Sequence, residues 1–154
     1  MAEVERQARL ENLPAFVDAI RLACDEVGAH TQVRDDLQLI VEEACVNVMH
    51  HAYPAGQPGP LTMAIYRQSA PLKEALVVRL RDHGKPFDPV AAPMPDLEEA
   101  AETRPIGGLG TMLIRQMSDE LHYERQHGDG ERNSQGINCL TVVKHLDGAG
   151  QAKQ

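Results

Sequence analysis

The sequence predicts an α+β domain, a two-layer α/β sandwich in which helices cover one face of a mostly antiparallel sheet. Three observations lead to this prediction: two amphipathic helical patterns open the chain, two strand patterns follow at short spacing, and a third helical pattern precedes two further strands. A chain of 154 residues is long enough to bury a normal core without disulfides or structural metals. We therefore expect one domain spanning residues 1–154.

Two helices are predicted in the first third of the chain. The first runs from about Leu13 to Val27, because its apolar residues recur on one stripe and Gly28 ends the pattern. The second begins near Thr31 and ends near Tyr53, since Pro54 disfavours helical backbone in the residue before it. Its apolar face is formed by residues at i, i+3, i+4 and i+7 spacing, namely Leu37, Ile40, Val41, Ala44 and Val48.

Two strands are predicted after these helices, at Leu61–Tyr66 and Ala75–Leu80. The connection between them is short, which favours an antiparallel hairpin. From about residue 85 to 106 the chain then holds five of its ten prolines and no sustained strand pattern. A loop of this length in a compact domain is usually functional or disordered, and we interpret it as a mobile cover over a site.

The last third is predicted to contain one helix and two strands. The helix covers Leu109–Met117, where the apolar residues again form one face. Strand patterns follow at Leu121–Arg125 and Ile137–Leu146, separated by a polar segment that contains glycine. Residues 147–154 are expected to form a frayed tail.

Charge and composition argue against several functional classes. The formal net charge is −8 at pH 7, whereas nucleic-acid binding needs a basic footprint, so we expect no nucleic-acid partner. The same acidic balance disfavours docking on an anionic membrane, and no segment approaches the length of an apolar membrane span. The first residues lack the apolar core of a secretory signal, so a cytoplasmic location is expected.

The three cysteines, Cys24, Cys45 and Cys139, are widely spaced and form no C-x-x-C motif. They fall within helix and strand patterns, which favours buried free thiols. A zinc site is the alternative, although no metal-ligand spacing supports it. The histidines that would serve as partners in such a site are His50, His51 and His83.

Glu43 and Asn47 lie four residues apart on the second predicted helix, so their side chains share one face. This face borders the apolar stripe, which places a carboxylate and an amide at the rim of the core. The spacing alone fits either a functional pair or an ordinary solvated helix boundary.

Asp82 follows directly on the second predicted strand, and Gly84 comes two residues later. A carboxylate at a strand end can accept a hydrogen bond from an exocyclic amine such as that of adenine. A neighbouring glycine lets the backbone approach a flat ring closely. The alternative is a simple β-turn, in which Asp-x-Gly is common.

The run Gly107-Gly108-Leu109-Gly110 precedes the third predicted helix. Glycines leave backbone N–H groups free to point at an anion, and the N-terminus of a helix adds its positive dipole end. A flexible hinge or an irregular helix start is the alternative for such a run.

These three segments occur in one order, and they replace the P-loop and the G-x-G-x-x-G turn, both of which the sequence lacks. The run from Leu39 to Tyr53 resembles the N-box of the GHKL ATPase superfamily. Residues 82–89 resemble its G1 box, and residues 107–110 resemble its G2 box. The likeness is greatest to the anti-sigma factor serine-protein kinases of bacterial partner-switching systems, and it covers the chain from about residue 13 to 146.

The resemblance implies a GHKL-type fold with an ATP lid at about residues 85–106, and a Mg·ATP-dependent serine/threonine protein kinase activity. Glu43 would act as the general base or orient the attacking serine hydroxyl, and Asn47 would coordinate Mg²⁺. Asp82 would read the amino group of adenine, with Gly84 leaving room beside the ring. The remaining residues expected to bind the nucleotide are Phe87, Gly107, Gly108, Leu109, Gly110 and Asn138.

Asn138 is a departure from the resemblance, because the family usually has a threonine near the adenine at this point on the last strands. An amide also donates and accepts hydrogen bonds, so Asn138 is still expected to serve nucleotide binding.

The family implies a small anti-sigma factor antagonist as the phosphorylation substrate, with a sigma factor and a second copy of the chain as further partners. Arg21 is not assigned as the arginine by which some relatives dock a sigma factor, so that partner is the weaker expectation. An ATP-binding switch module without appreciable kinase activity is the first alternative. The catalytic half of a sensor histidine kinase is the second, and it is disfavoured because His50 and His51 lie within the N-box helix.

Overall fold

The computed structural model describes residues 2–69, 71–90, 108–127 and 136–147. The predicted α+β class is confirmed, and all seven predicted elements are present within a few residues of their expected bounds. Most of the predicted cover and nearly all of the predicted tail lie outside the described residues. The helices are α1 (Leu13–Glu26), α2 (Thr31–His51) and α3 (Gly108–Met117), and the strands are β1 (Ala2–Gln7), β2 (Pro60–Gln68), β3 (Ala75–Asp82), β4 (Glu120–Gln126) and β5 (Ile137–His145).

β1 is an additional strand that was not predicted from the sequence. It pairs antiparallel with β2, and Val4 lies opposite Met63 in the register. Ala2 and Val4 pack against the core, whereas Glu3 and Glu5 are exposed. β1 lies at one edge of the sheet, where charged residues commonly discourage pairing with further strands. Only two apolar residues mark its buried face, which is too weak a pattern to identify a strand by itself.

The five strands form one sheet in the order β1-β2-β3-β5-β4, and each neighbouring pair is antiparallel. The strands β3 and β5 are therefore neighbours although α3 and β4 lie between them in the sequence. In their register Asp82 lies opposite Asn138, and Asn138 lies opposite Arg125 on β4. Side chains opposite each other on neighbouring strands point to the same face. The topology thus places three polar side chains in one row across the sheet.

The core lies between one face of this sheet and the helices. Burying each large aliphatic side chain contributes about 1.5–3 kcal/mol, so this layer holds α2 firmly against the sheet. As a result, the polar residues of α2 that border its apolar face are fixed at the rim of the core. None of the helices in the described ranges is long and apolar enough to cross a membrane. Fully buried side chains of the core include Phe16, Ile20, Leu37, Ile40, Leu61, Met63, Ile65, Leu76 and Ile114.

One ion pair crosses this layer. Lys144 of β5 lies 2.9 Å from the Asp36 carboxylate of α2, and its ammonium also donates to the Met117 carbonyl oxygen at 2.6 Å. The Lys144 side chain is only 3% exposed. Gln32 donates to the other Asp36 oxygen at 2.8 Å. Because Met117 ends α3, this pair connects the two helices that border the candidate site to the central sheet.

Candidate functional site

The Asp82 side chain is buried at the end of β3, as 6% of the residue is exposed. Its Oδ1 accepts hydrogen bonds from the Gly84 N–H and from the Asn138 amide, both at 2.9 Å. Within the described residues its Oδ2 accepts none, and Asp82 lines a pocket between α2 and the sheet. A buried carboxylate oxygen without a hydrogen-bond donor is a strong acceptor that can still bind an N–H group. It therefore fits a ligand that brings an N–H group into the pocket.

The pocket beside Asp82 is a cleft partly open to solvent, with an enclosed cavity volume of about 40 Å³. Its apolar wall suits a flat heteroaromatic ring, and the polar residues that line it include Asn47, Asp82, Tyr123 and Asn138. The predicted site residues Asn47, Asp82, Phe87 and Asn138 are thus brought together in one place. The apolar side chains of this wall include Ala44, Val48, Leu80, Ile114 and Leu140.

Gly84 lies against the end of α2. A Cβ at this position would overlap the Ala52 carbonyl oxygen, and the Lys85 N–H donates to that same oxygen at 3.0 Å. The structure therefore gives Gly84 a reason to be glycine that does not involve a ligand, namely the close approach of the loop after β3 to the backbone of α2. Gly84 lines a second, neighbouring pocket together with His51 and Arg125.

Tyr53 also holds the loop that follows β3. Its hydroxyl donates to the Pro60 carbonyl oxygen at 2.6 Å and accepts from the His83 N–H at 2.8 Å. Burial raises the pKa of this hydroxyl, and the Asp82 carboxylate adds to the rise, while the His83 N–H opposes it. The loop that follows Asp82 is thus attached to α2 through backbone and side-chain hydrogen bonds.

Glu43 lies at the contact between α2 and α3, facing the first turn of α3. A Cβ at Gly110 would overlap its Oε2, so the glycine lets the carboxylate approach the N-terminal end of that helix. A negative charge is stabilised there by the helix dipole. Asn47 lies one turn further along α2 and lines the pocket beside Asp82. Among the described residues neither side chain has a hydrogen-bond partner, so both are available to a ligand.

The glycine-rich run is described only in part. Gly108 begins α3, Leu109 is 42% exposed, and Gly110 faces Glu43. Gly107 lies outside the described residues, as does most of the predicted lid, which is described only up to residue 90. In that part Phe87 is 41% exposed at the rim of the pocket, where it could cover one face of a bound ring.

Tyr123 and Arg125 belong to the site but were not predicted as site residues. Tyr123 donates to Asn138 Oδ1 at 2.6 Å, and Arg125 donates to the same atom at 2.8 Å. The two residues alternate with exposed neighbours on β4, so they point to the helix-covered face. A tyrosine and an arginine on the inward face of a strand were a signal in the sequence, because large polar groups in such positions need partners.

The zinc alternative gains no support from the structure. Within residues 2–69, 71–90, 108–127 and 136–147, no group of three or more His, Cys, Asp and Glu side chains is arranged to hold a metal ion. The three cysteines are buried free thiols, as expected. Burial raises the pKa of Cys45 to about 12 and that of Cys24 to about 11. Such thiols remain protonated and unreactive near neutral pH.

The chain matches the family described as histidine kinase-like ATPase domain over residues 6–143. It is 29% identical over 114 residues to the serine/threonine-protein kinase BtrW of Bordetella bronchiseptica, which covers 74% of this chain and 72% of that protein. It is 30% identical over 123 residues to the serine-protein kinase RsbW of Listeria monocytogenes, covering 72% of this chain and 74% of that one.

The fold is similar to that of a chain in the crystal structure of the SiaB–SiaC complex from Pseudomonas aeruginosa. The TM-score is 0.63 at 20% sequence identity, and the match covers 93% of this chain and 88% of that chain. This likeness supports the arrangement of a five-stranded antiparallel sheet under three helices.

The sheet, the covering helices and the pocket beside Asp82 together define a GHKL-type ATPase domain. The chain belongs to the histidine kinase-like ATPase domain family, and within it to the anti-sigma factor serine-protein kinases, as its relatives show. The resemblance seen in the three sequence boxes is thereby confirmed, and an ATPase domain of this kind implies ATP binding.

Proposed function

We propose that this chain is a Mg·ATP-dependent protein kinase that phosphorylates a serine or threonine of a small anti-sigma factor antagonist protein. The observation that carries the proposal is the Asp82 carboxylate, whose Oδ1 is held by two donors and whose Oδ2 has no donor within the described residues, at a residue that lines a pocket together with Asn47. The names of the relatives, serine-protein kinase RsbW and serine/threonine-protein kinase BtrW, support transfer to a hydroxyl group.

At the base-binding end, Asp82 Oδ2 is suited to accept a hydrogen bond from the exocyclic amine of adenine. The apolar residues of the pocket wall would contact the faces of the ring and exclude water from this hydrogen bond. Phe87 at the rim would close the pocket on the solvent side. Together these groups account for binding of the adenine base and leave the phosphates toward Asn47 and α3.

At the phosphate end, Asn47 offers an amide oxygen, a ligand type that Mg²⁺ accepts. When bound, Mg²⁺ would neutralise phosphate charge and hold the phosphates in place. The first turn of α3 offers backbone N–H groups and the positive end of a helix dipole, both suited to an anion. The residues present therefore fit a magnesium-bound triphosphate.

Glu43 would orient the attacking hydroxyl group and take its proton. The hydroxyl oxygen would form a bond to the γ-phosphorus as the bond from that phosphorus to the bridging oxygen breaks, releasing ADP. Because no hydrogen-bond partner within the described residues engages the Glu43 carboxylate, it is free to accept this proton. Its position against α3 supports this role, because the phosphates would lie at that end of the site.

The partners belong to the same proposal. The antagonist protein would be the substrate, and a sigma factor would be held by the chain until the antagonist competes for it, in the cytoplasm. A homodimer would be the assembled form. Phosphorylating the antagonist would then control how much sigma factor is released.

Calorimetric titration with ATP, with and without Mg²⁺, tests the binding step. We expect binding that tightens with Mg²⁺. Binding should be lost in Asp82→Asn, because the asparagine can turn its NH₂ group toward the adenine amine, and two donors form no hydrogen bond. Asp35→Asn is the matched control, because Asp35 is an exposed residue of α2 away from the pocket. Absence of ATP binding by nucleotide-free wild-type protein would contradict the proposal.

Phosphoryl transfer to an antagonist protein encoded in the same genome tests the catalytic step. Glu43→Gln should bind ATP normally and transfer at least about a hundredfold more slowly, because general-base catalysis contributes on this scale. Glu42→Gln is the matched control, since Glu42 accepts a hydrogen bond from Gln38 at 3.0 Å. ATP binding without transfer by the wild type would instead identify a nucleotide-dependent binding module.

A further inference from the structure

We infer that Asn138, held by Tyr123 and Arg125 of β4, is a positioning residue that orients Asp82 and so selects a nucleotide base carrying an exocyclic amine. This inference rests on the proposed nucleotide binding and assigns the determinant of base specificity. It concerns the side chains that stand behind Asp82, none of which needs to touch the base itself.

The amide of Asn138 uses its full hydrogen-bonding capacity within the protein. Its nitrogen donates to Asp82 Oδ1 and to the Lys85 carbonyl oxygen, both at 2.9 Å. Its oxygen accepts from the Tyr123 hydroxyl at 2.6 Å and from the Arg125 guanidinium at 2.8 Å. An asparagine amide has two N–H donors and two acceptor sites, so no site remains for a ligand. The expected role of Asn138 in nucleotide binding is therefore indirect.

The orientation of this amide is fixed by its neighbours. The side toward β3 presents only acceptors, Asp82 Oδ1 and the Lys85 carbonyl oxygen, whereas the side toward β4 presents the Tyr123 hydroxyl and the Arg125 guanidinium, which can only donate. A rotated amide would place its oxygen against two acceptors and its nitrogen against the Arg125 donor. Since Asn138 is only 5% exposed, water cannot relieve those contacts. The N–H group therefore always points at Asp82.

The orientation of the Asp82 carboxylate is fixed by two hydrogen bonds. With the Gly84 N–H and the Asn138 amide both donating to Oδ1, rotation of the carboxylate would break two hydrogen bonds. Oδ2 is thus the carboxylate oxygen left for a ligand of the pocket that Asp82 lines. A carboxylate oxygen attracts an amino group and repels a carbonyl oxygen, so a base with an amine at this position is favoured over one with a keto group.

Arg125 helps to position Asn138 from outside the pocket beside Asp82. It donates to Asn138 Oδ1 and also to the Gly84 carbonyl oxygen at 3.1 Å. It therefore ties the loop after β3 and the Asn138 amide to the edge strand, and it lines the neighbouring pocket rather than the one beside Asp82. A change at Arg125 should alter base recognition without removing any group from the pocket beside Asp82.

Three nucleotides measured against Arg125→Met separate positioning from general loosening of the site. ATP has the exocyclic amine, purine riboside triphosphate lacks it, and GTP has a keto oxygen in its place. We expect Arg125→Met to bind ATP about tenfold more weakly while its affinity for purine riboside triphosphate stays unchanged. The preference for ATP over GTP should fall by the same factor. Arg67→Met is the matched control, because Arg67 of β2 forms an ion pair with the exposed Glu74.

Two further variants act on the same network. Tyr123→Phe removes one hydrogen bond to Asn138 and keeps the aromatic ring. It should therefore show the same selective loss of ATP affinity, but a smaller one. This variant also tests the inference if Arg125→Met fails to fold. Asn138→Thr keeps a donor for Asp82 but cannot reach both strands, so ATP affinity should fall and purine riboside triphosphate affinity should not. Thermal unfolding without nucleotide verifies folding of each variant.

The outcomes distinguish this inference from the proposed function. If the folded variants lose affinity for ATP and purine riboside triphosphate by the same factor, or lose none for ATP, the positioning role is wrong while ATP binding stands. If nucleotide-free wild-type protein binds none of the three nucleotides, the proposed function itself fails.

Discussion

Gly110 of α3 and Glu43 of α2 face each other so closely that a Cβ at position 110 would overlap the Glu43 carboxylate. The group that would have to move is the end of a flexible side chain, and the backbone of α2 is not in the way. Position 110 therefore controls where the carboxylate can lie. The pair connects the glycine-rich box of the sequence to the acidic residue of α2.

Gly110→Ala should slow phosphoryl transfer at least about tenfold while stability changes by no more than about 1 kcal/mol. The new methyl group displaces the Glu43 carboxylate, whereas alanine is the better residue in a helix and offsets part of the crowding. Single-turnover transfer at saturating ATP and thermal unfolding measure the two effects. Gln116→Ala, an exposed change in α3, is the control. A normal transfer rate in Gly110→Ala would show that the carboxylate position is unimportant.

Gly84→Ala should behave differently, lowering stability by about 1–3 kcal/mol and weakening ATP binding. A Cβ at position 84 would overlap the backbone of Ala52, which cannot rotate away as a side chain can, so the loop after Asp82 must shift. Urea denaturation and ATP titration check this outcome. Gly110→Ala is the comparison, since it also adds one methyl group. Equal stability of the two variants would contradict the distinction.

The buried pair of Lys144 and Asp36 should be needed as a unit. Lys144→Met leaves the Asp36 charge without its partner and removes a donor from the Met117 carbonyl oxygen, so we expect a loss of about 3–5 kcal/mol in urea denaturation. The double variant Lys144→Met/Asp36→Leu removes both charges and should be at least about 1 kcal/mol more stable than the single variant. A double variant that is less stable than Lys144→Met would overturn this account.

The buried thiol of Cys45 should make stability fall at alkaline pH. Burial raises its pKa from 9.0 to about 12, so between these values the unfolded state loses a proton that the folded state keeps. Stability from this group is complete below about pH 9 and is lost as pH rises toward 12, by about 1.4 kcal/mol per pH unit. Urea denaturation from pH 8 to 10.5 should show a shallower fall in Cys45→Ala. Val41→Ala, a buried change on the same helix, should leave the pH dependence unaltered.

The helices and the inner strands were predictable because each carries a periodic apolar face. The pattern of α2 gave its bounds closely, and the same pattern placed Glu43 and Asn47 on one side of it. β1 was not predictable, since an edge strand with alternating charges has too little apolar signal. Of the expected site residues, Asn47, Asp82, Phe87 and Asn138 line one pocket, Gly84 lines its neighbour, and Glu43 and Gly110 form a pair between α2 and α3.

The hydrogen-bond partners of Asn138 could not be predicted from the sequence. Its type and position suggested a contact with the nucleotide, but a sequence does not reveal how many partners an amide already has. Tyr123 and Arg125 were visible on an inward strand face, yet their partner was unknown until the register of β4 and β5 was available. The same limit applies to Gly84, whose neighbour Ala52 belongs to a different element.

The sequence by itself determined the α+β class, the order of elements after β1 and the family, because these depend on periodicity and on short local motifs. Only the tertiary structure decided which atoms of the site are free. The antiparallel pairing of β3 with β5 sets Asp82 beside Asn138, and the packing of α3 on α2 sets Gly110 beside Glu43. Hydrogen bonds and steric contacts act over a few ångströms, so they depend on chain segments that lie far apart in the sequence and meet only in the fold.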